Sequence, residues 1–180
     1  MPDFQQYKTE QSSLHTQERQ PPESGFLYTA EQTRSLDRIA IEQQGIAGFD
    51  LMKRAARAAY RALRQRWSDA ERLVIFCGPG NNGGDGLVMA GLALEQQQQV
   101  AVYLLGAVER LQGEAREAYD WAQGKGVEIS PFEPGTRIGD DVDVVVDALL
   151  GTGLKGAVRG DYVAAIDAIN RAAAPVLAVD

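Results

Sequence analysis

Thiol and imidazole are almost absent from this chain. Its 180 residues hold one cysteine, Cys77, and one histidine, His15. A single cysteine excludes an intrachain disulfide and any four-thiolate metal site, and a lone histidine cannot build an imidazole-based zinc site. Catalysis, if any, must therefore run on carboxylates, lysine, amides or a bound cofactor. Positive charge is also scarce: 18 Lys and Arg stand against 25 Asp and Glu, a net charge of -7. That balance argues against nucleic acid or an anionic membrane as the main partner, because both need a positive field. No apolar run approaches the roughly 18 residues of a membrane span. The N-terminus has no basic segment leading into an apolar one, as a secretory signal would. The expected compartment is the cytoplasm.

Gln, Glu, Ser and Pro dominate residues 1–26, with Pro21 and Pro22 ahead of Glu23, Ser24 and Gly25. Too little apolar surface is present to offset the entropy of ordering, so this stretch is expected to be a disordered polar tail, with one folded domain over 27–180. Thr29 followed by Gln32 has the spacing of a capping box, and Leu36, Ile39 and Ala40 continue it as an apolar stripe of helical period. Gly45 is expected to stop that helix. A second helix is predicted from near Gly48 to Trp67, with Phe49, Met52, Ala56, Ala59, Tyr60 and Leu63 on its apolar side and Lys53, Arg54, Arg57, Arg61 and Arg64 on a solvated one.

From Leu73 onward short unbroken apolar runs alternate with helical patterns. The runs are 73–77, 100–105, 127–129, 142–146 and 176–179, and the helical patterns between them cover 84–97, 111–123 and 161–173. Continuous apolar strands belong to parallel sheets covered on both faces. The predicted fold class is therefore α/β, a three-layer αβα sandwich with a mostly parallel sheet and two N-terminal helices. Ligands in such sheets bind beyond the carboxyl ends of the strands, where strand order reverses.

Two glycine-bearing segments occupy such positions. Gly78-Pro79-Gly80-Asn81-Asn82-Gly83-Gly84-Asp85-Gly86 follows the first run and formally contains a dinucleotide fingerprint. The acid that should bind ribose about 20 residues later is missing, since the second strand closes on Leu104-Leu105-Gly106, and this disfavours an NAD-dependent oxidoreductase. Asn81 and Asn82 have two readings, as ligands to a substrate or ion through their carboxamides, or as suppliers of left-handed turns. Asp147 ends the fourth run ahead of Gly151-Thr152-Gly153-Leu154-Lys155-Gly156. It is either an acceptor for its own loop or, with the Asn82 oxygen, a ligand to a hard cation. Lys155 is either a phosphate partner or an ordinary surface lysine.

Together, GPGNNGGDG at 78–86 and DALLGTGLKG at 147–156 resemble the NAD(P)H-hydrate epimerase family, the N-terminal domain type of bifunctional NAD(P)H-hydrate repair enzymes. The helix pattern from Thr29 through Met52 is similar too, and the resemblance spans about residues 27–180. It implies a Rossmann-like fold and epimerisation of the R and S forms of hydrated NADH and NADPH (NADHX and NADPHX). It also implies substrate contacts from Asn81, Asn82, Gly83, Gly84 and Asp85 and from Gly151, Thr152, Gly153, Leu154, Lys155, Gly156 and Ala157. Potassium (K+) is implied as the cofactor, with Asn82 and Asp147 as its ligands. Asp180 matches the aspartate opening the family's Asp-x-Pro-Ser-Gly segment, and is expected both to contact the substrate and to act as the catalytic acid and base. The sequence stops there, so against the family pattern the domain is expected to be incomplete at its C-terminal end. A homodimer and, in a full-length protein, a fused dehydratase domain are further implications. A non-catalytic binding or scaffold domain of the same fold is the alternative.

Overall fold

The computed structural model describes residues 28–154 and 156–179. The expected polar tail at 1–26, His15, Lys155 and Asp180 lie outside the described residues. The first helix, α1 (Ala30–Glu42), starts where the sequence places it. The Gln32 N–H donates to Thr29 Oγ1 at 3.2 Å while the Thr29 N–H donates to Gln32 Oε1 at 2.8 Å, a reciprocal capping box. Gly45 then turns the chain with φ +67°, a conformation that suits glycine. α2 (Gly48–Arg66) buries Met52, Ala56, Tyr60 and Leu63 of the predicted apolar side, while Phe49 and Ala59 are partly buried against the core.

The remaining elements alternate. β1 (Arg72–Cys77), α3 (Asn81–Glu95), β2 (Gln99–Leu104), α4 (Gly113–Gly124), β3 (Ile129–Pro131), β4 (Val144–Ala148), α5 (Asp161–Arg171) and β5 (Val176–Ala178) follow in order, with a short 3-10 turn at Val108–Arg110 before α4. All five strands pair in parallel, in the order β3-β2-β1-β4-β5. Side chains alternate across β1, so Leu73, Ile75 and Cys77 join a core formed with α2, α3 and α4, while Val74 and Phe76 join a second core against α5. Two cores on opposite faces of one sheet make the expected three layers. Close approach shapes the first of them: the Trp121 ring of α4 lies where a Cβ on Gly91 of α3 would stand.

Several boundaries differ from the sequence reading. β4 begins two residues later than expected, because Asp143 turns aside to accept the N–H groups of Glu71 and Arg72, both at 2.8 Å. Asp147 is the penultimate residue of β4, at the carboxyl end as expected, opposite Phe76 and Ala178. β3 is also displaced, from 127–129 to Ile129–Pro131, because its register with β2 pairs Val102 with Ile129 and Leu104 with Pro131. Val127 is buried in the core without joining the strand.

Candidate functional site

The chain steps outward from β1 through β2 to β3 and then returns to β4 on the other side of β1. Strand order therefore reverses between β1 and β4, and both glycine-bearing segments leave the carboxyl ends of these two strands. They are joined through backbone. The Gly78 N–H donates to the Ala148 carbonyl at 3.0 Å, Gly78 presses on the Leu149 carbonyl where a Cβ would stand, and Gly83 presses likewise on the Gly78 carbonyl. No side chain fits at either contact, and this requirement places glycine at these positions.

The helix begins three residues before the pattern read from 84, so Asn81, Asn82 and Gly83 are helical as well. α3 starts at Asn81, with Gly80 as a cap that offers no side chain. Left-handed turns at Asn81 and Asn82 are overturned as well, since Gln97 is the one non-glycine with positive φ among the described residues and no glycine from 78 to 86 has positive φ. Glycine serves proximity here: a Cβ on Gly84 would meet Met52 Sδ at 2.8 Å, and one on Gly86 would meet the Ala148 Cβ at 2.7 Å. The first intrahelical bond runs from the Gly84 N–H to the Gly80 carbonyl. N–H groups of the first turn thus point past the helix end with no intrahelical acceptor, and no acidic residue stands among them. Such an end attracts anionic groups.

Asn82 and Asp85 lie one turn apart on α3, both half-buried. Asn82 Nδ2 and Asp85 Oδ1 are buried without a hydrogen-bond partner, an expensive condition for a donor and an acceptor. Asp85 faces a cleft of about 140 Å³ between the helices, which also holds Asp37 of α1, Gly48 of α2, Asn81, and Glu114 of α4. Burial, and then the nearby Asp37 carboxylate, push the Asp85 carboxyl up to about 7. Asp37 and Glu114 escaped the sequence reading because each sits in an ordinary helical charge pattern, and only the packing of α1 and α4 brings them to Asp85.

On the neighbouring strand Asp147 is half-buried and its Oδ1 accepts the Leu149 N–H at 3.0 Å, the local role weighed from the sequence. The following turn is closed by the Leu154 N–H on the Gly151 carbonyl; Thr152, Gly153, Leu154, Gly156 and Ala157 are exposed, and Gly156 has φ +82°. Val179 donates its N–H to the Asp147 carbonyl at 2.9 Å, which carries the end of β5 to the same edge. The carboxyl edge therefore gathers Asn81 through Asp85, Asp147 and the start of the Gly151–Ala157 turn, while Lys155 and Asp180 lie outside the described residues. Among the described residues no three His, Cys, Asp or Glu side chains converge on a metal position. The oxygens on offer are carboxamide, carboxylate and carbonyl, a set that suits an alkali cation. The unpartnered atom of Asn82 is Nδ2, a donor, so its carboxamide would have to turn to bring the oxygen to an ion at that position.

Comparison with known proteins agrees with this architecture. The family described as "YjeF-related protein N-terminus" matches residues 48–180. A bifunctional NAD(P)H-hydrate repair enzyme of Coxiella burnetii is 46% identical over 86% of this chain, which spans 31% of that enzyme's length. An NAD(P)H-hydrate epimerase of Rhodobacter capsulatus is 37% identical over 86% of the chain and 74% of its own length. A crystal structure of a yeast protein superposes with a TM-score of 0.76 at 19% identity, over 86% of this chain and 70% of that one, a likeness of fold. The chain belongs to the YjeF-related N-terminal family.

Proposed function

We propose, with membership of that family as the premise, that this chain interconverts the R and S epimers of hydrated NADH and NADPH. The observation that carries the reading is the pair of glycine-bearing segments locked together at the β1/β4 reversal, with the start of α3 open beside them. In the hydrate the carbon bearing the hydroxyl is bonded to the ring nitrogen. When an acid protonates that hydroxyl the C–O bond breaks, water leaves, and the nitrogen lone pair becomes a C=N bond. Water then adds to the opposite face and returns its proton to the same group. One acid and base within hydrogen-bond reach, and firm placement of ring and pyrophosphate, are enough.

Asp180 is assigned as that acid and base, and its neighbour Val179 is bonded to Asp147 at the same edge. The open N–H groups at the start of α3 would receive a phosphate, while the Gly151–Ala157 turn would contact the remainder of the substrate. Asn82 and Asp147 would hold potassium, whose charge offsets that of the phosphates when it is bound. A homodimer, and a dehydratase domain in a longer protein, belong to the same reading. Equilibration of separated NADHX epimers, followed by chromatography, tests it: the chain should speed their interconversion, and an unchanged rate refutes the assignment. In an active protein Asp180→Asn should slow the reaction at least about 100-fold, the usual scale for an acid–base group; a rate within about twofold of the parent refutes the role of Asp180. Replacing potassium with a bulky organic cation should weaken NADHX binding, and equal binding would discard the ion.

A further inference from the structure

α1 is an intact helix on a weak seat. Its capping box completes one end and the Gln43 N–H bonds back to Ile39 at the other, yet it buries no residue and leaves Leu36 49%, Ile39 40% and Ile41 39% exposed. It joins α2 through residues 43–47, where Gly45 has φ +67° and open space around it. Its inner side, with Asp37 and Ile41, roofs the cleft that contains Asn81 and Asp85. Asp85, whose Oδ1 is unpartnered, lines that cleft, with the unpartnered Asn82 Nδ2 one helical turn earlier on α3, and Asp37 sets a like charge toward Asp85. A buried donor and acceptor left unpaired favour any state in which water or a ligand reaches them.

We propose that α1 is a hinged lid, turning about Gly45 to open the cleft beside Asn81 and Asp85 and closing over one end of the ligand held at the start of α3. The ligand half rests on the function proposed above, whereas the hinge rests on the helix alone. The entering group must present a hydrogen-bonding partner to Asp85. A hydroxyl or a primary carboxamide can do so.

Native-state hydrogen exchange on the whole chain tests the hinge. α1 amides should exchange together and at least about 100-fold faster than those of Met52 to Leu63 in α2, as a separately opening unit does. Equal protection in the two helices overturns the lid. A second experiment fixes the roof by bridging Ile41→Cys and Ala55→Cys, two residues of the cleft wall, with a short bismaleimide; Cys77 is fully buried and does not compete. Relative to the unbridged double variant, bridging should weaken NADHX binding by about tenfold or more in titration calorimetry. Unchanged affinity overturns the lid. A chain that binds NADHX in neither form refutes the substrate reading, and hydrogen exchange still decides the hinge.

Discussion

The two edges of the sheet are built on opposite terms. At the amino edge polar groups are closed on one another: the Tyr60 hydroxyl donates to Gln98 Oε1, Gln98 Nε2 donates to the Ala70 carbonyl at 2.6 Å, and Asp143 accepts two backbone N–H groups. Arg72 adds an ion pair with Asp141 at 2.7 Å. At the carboxyl edge backbone is packed on backbone at Gly78 and Gly83, while Asn82 Nδ2 and Asp85 Oδ1 stay unpaired and Asp85 is driven toward its neutral form. Satisfied polar groups fix one edge, and unsatisfied ones mark the edge where a ligand would complete the structure.

Substitutions at the two edges should separate these terms. The largest effect is expected from Gly83→Ala, whose methyl would collide with the Gly78 carbonyl and unlock the β1–α3 turn. It should cost about 3 kcal/mol or more in denaturant unfolding. Gly80→Ala, three residues earlier in open space, should cost less than about 1 kcal/mol. Comparable losses at 80 and 83 would show that close packing does not hold this edge. Next comes Gln98→Leu at the amino edge, which strands the Tyr60 hydroxyl and leaves the Ala70 carbonyl with Arg64 Nη1, at 2.8 Å, as its remaining side-chain donor. A loss of about 2 kcal/mol with NADHX affinity untouched is expected; weakened affinity would mean that the edges are coupled.

Asp85→Asn should act in the other direction. The folded-state value of Asp85 is raised to about 7, so its contribution is fully present below the unfolded value near 4 and is lost as pH rises through 7. The variant should therefore be more stable than the parent by about 1–2 kcal/mol at pH 8 and equal to it at pH 4. A gain that does not change with pH would remove ionisation as its cause. The smallest effect belongs to Asp143→Ala. Backbone N–H groups of Glu71 and then Arg72 hold the Asp143 carboxyl below the usual range, so its contribution is present above about pH 4 and is lost as pH falls through the lowered value. Because Asp143 is exposed, a loss of about 1 kcal/mol or less at pH 7 is expected, disappearing in acid.

Local chemistry made much of this fold legible. Thr29 and Gln32 announce the start of α1, and the apolar spacing from Met52 to Leu63 gives the buried face of α2, because caps and helical period act over a few residues. The paired segments after β1 and β4 were readable as neighbours because strand ends in a parallel sheet share an edge. Register was not readable: Val142 and Asp143 look like strand until Asp143 is claimed by the N–H groups of Glu71 and Arg72, a contact across 72 and 71 positions of sequence. Glycine misled for a related reason. Gly83, Gly84 and Gly86 suggest a loop by composition, whereas their purpose is to let a helix lie against Gly78, Met52 and Ala148, and no local pattern distinguishes the two uses.

Pro131 closes β3, the outermost strand on its side, with a residue that has no N–H to offer a neighbour. An incoming strand would meet a three-residue border that stops on an imide nitrogen. Edge-to-edge recruitment through β3 is therefore blunted. Concentrated solutions of this domain should resist growth of the sheet across that border.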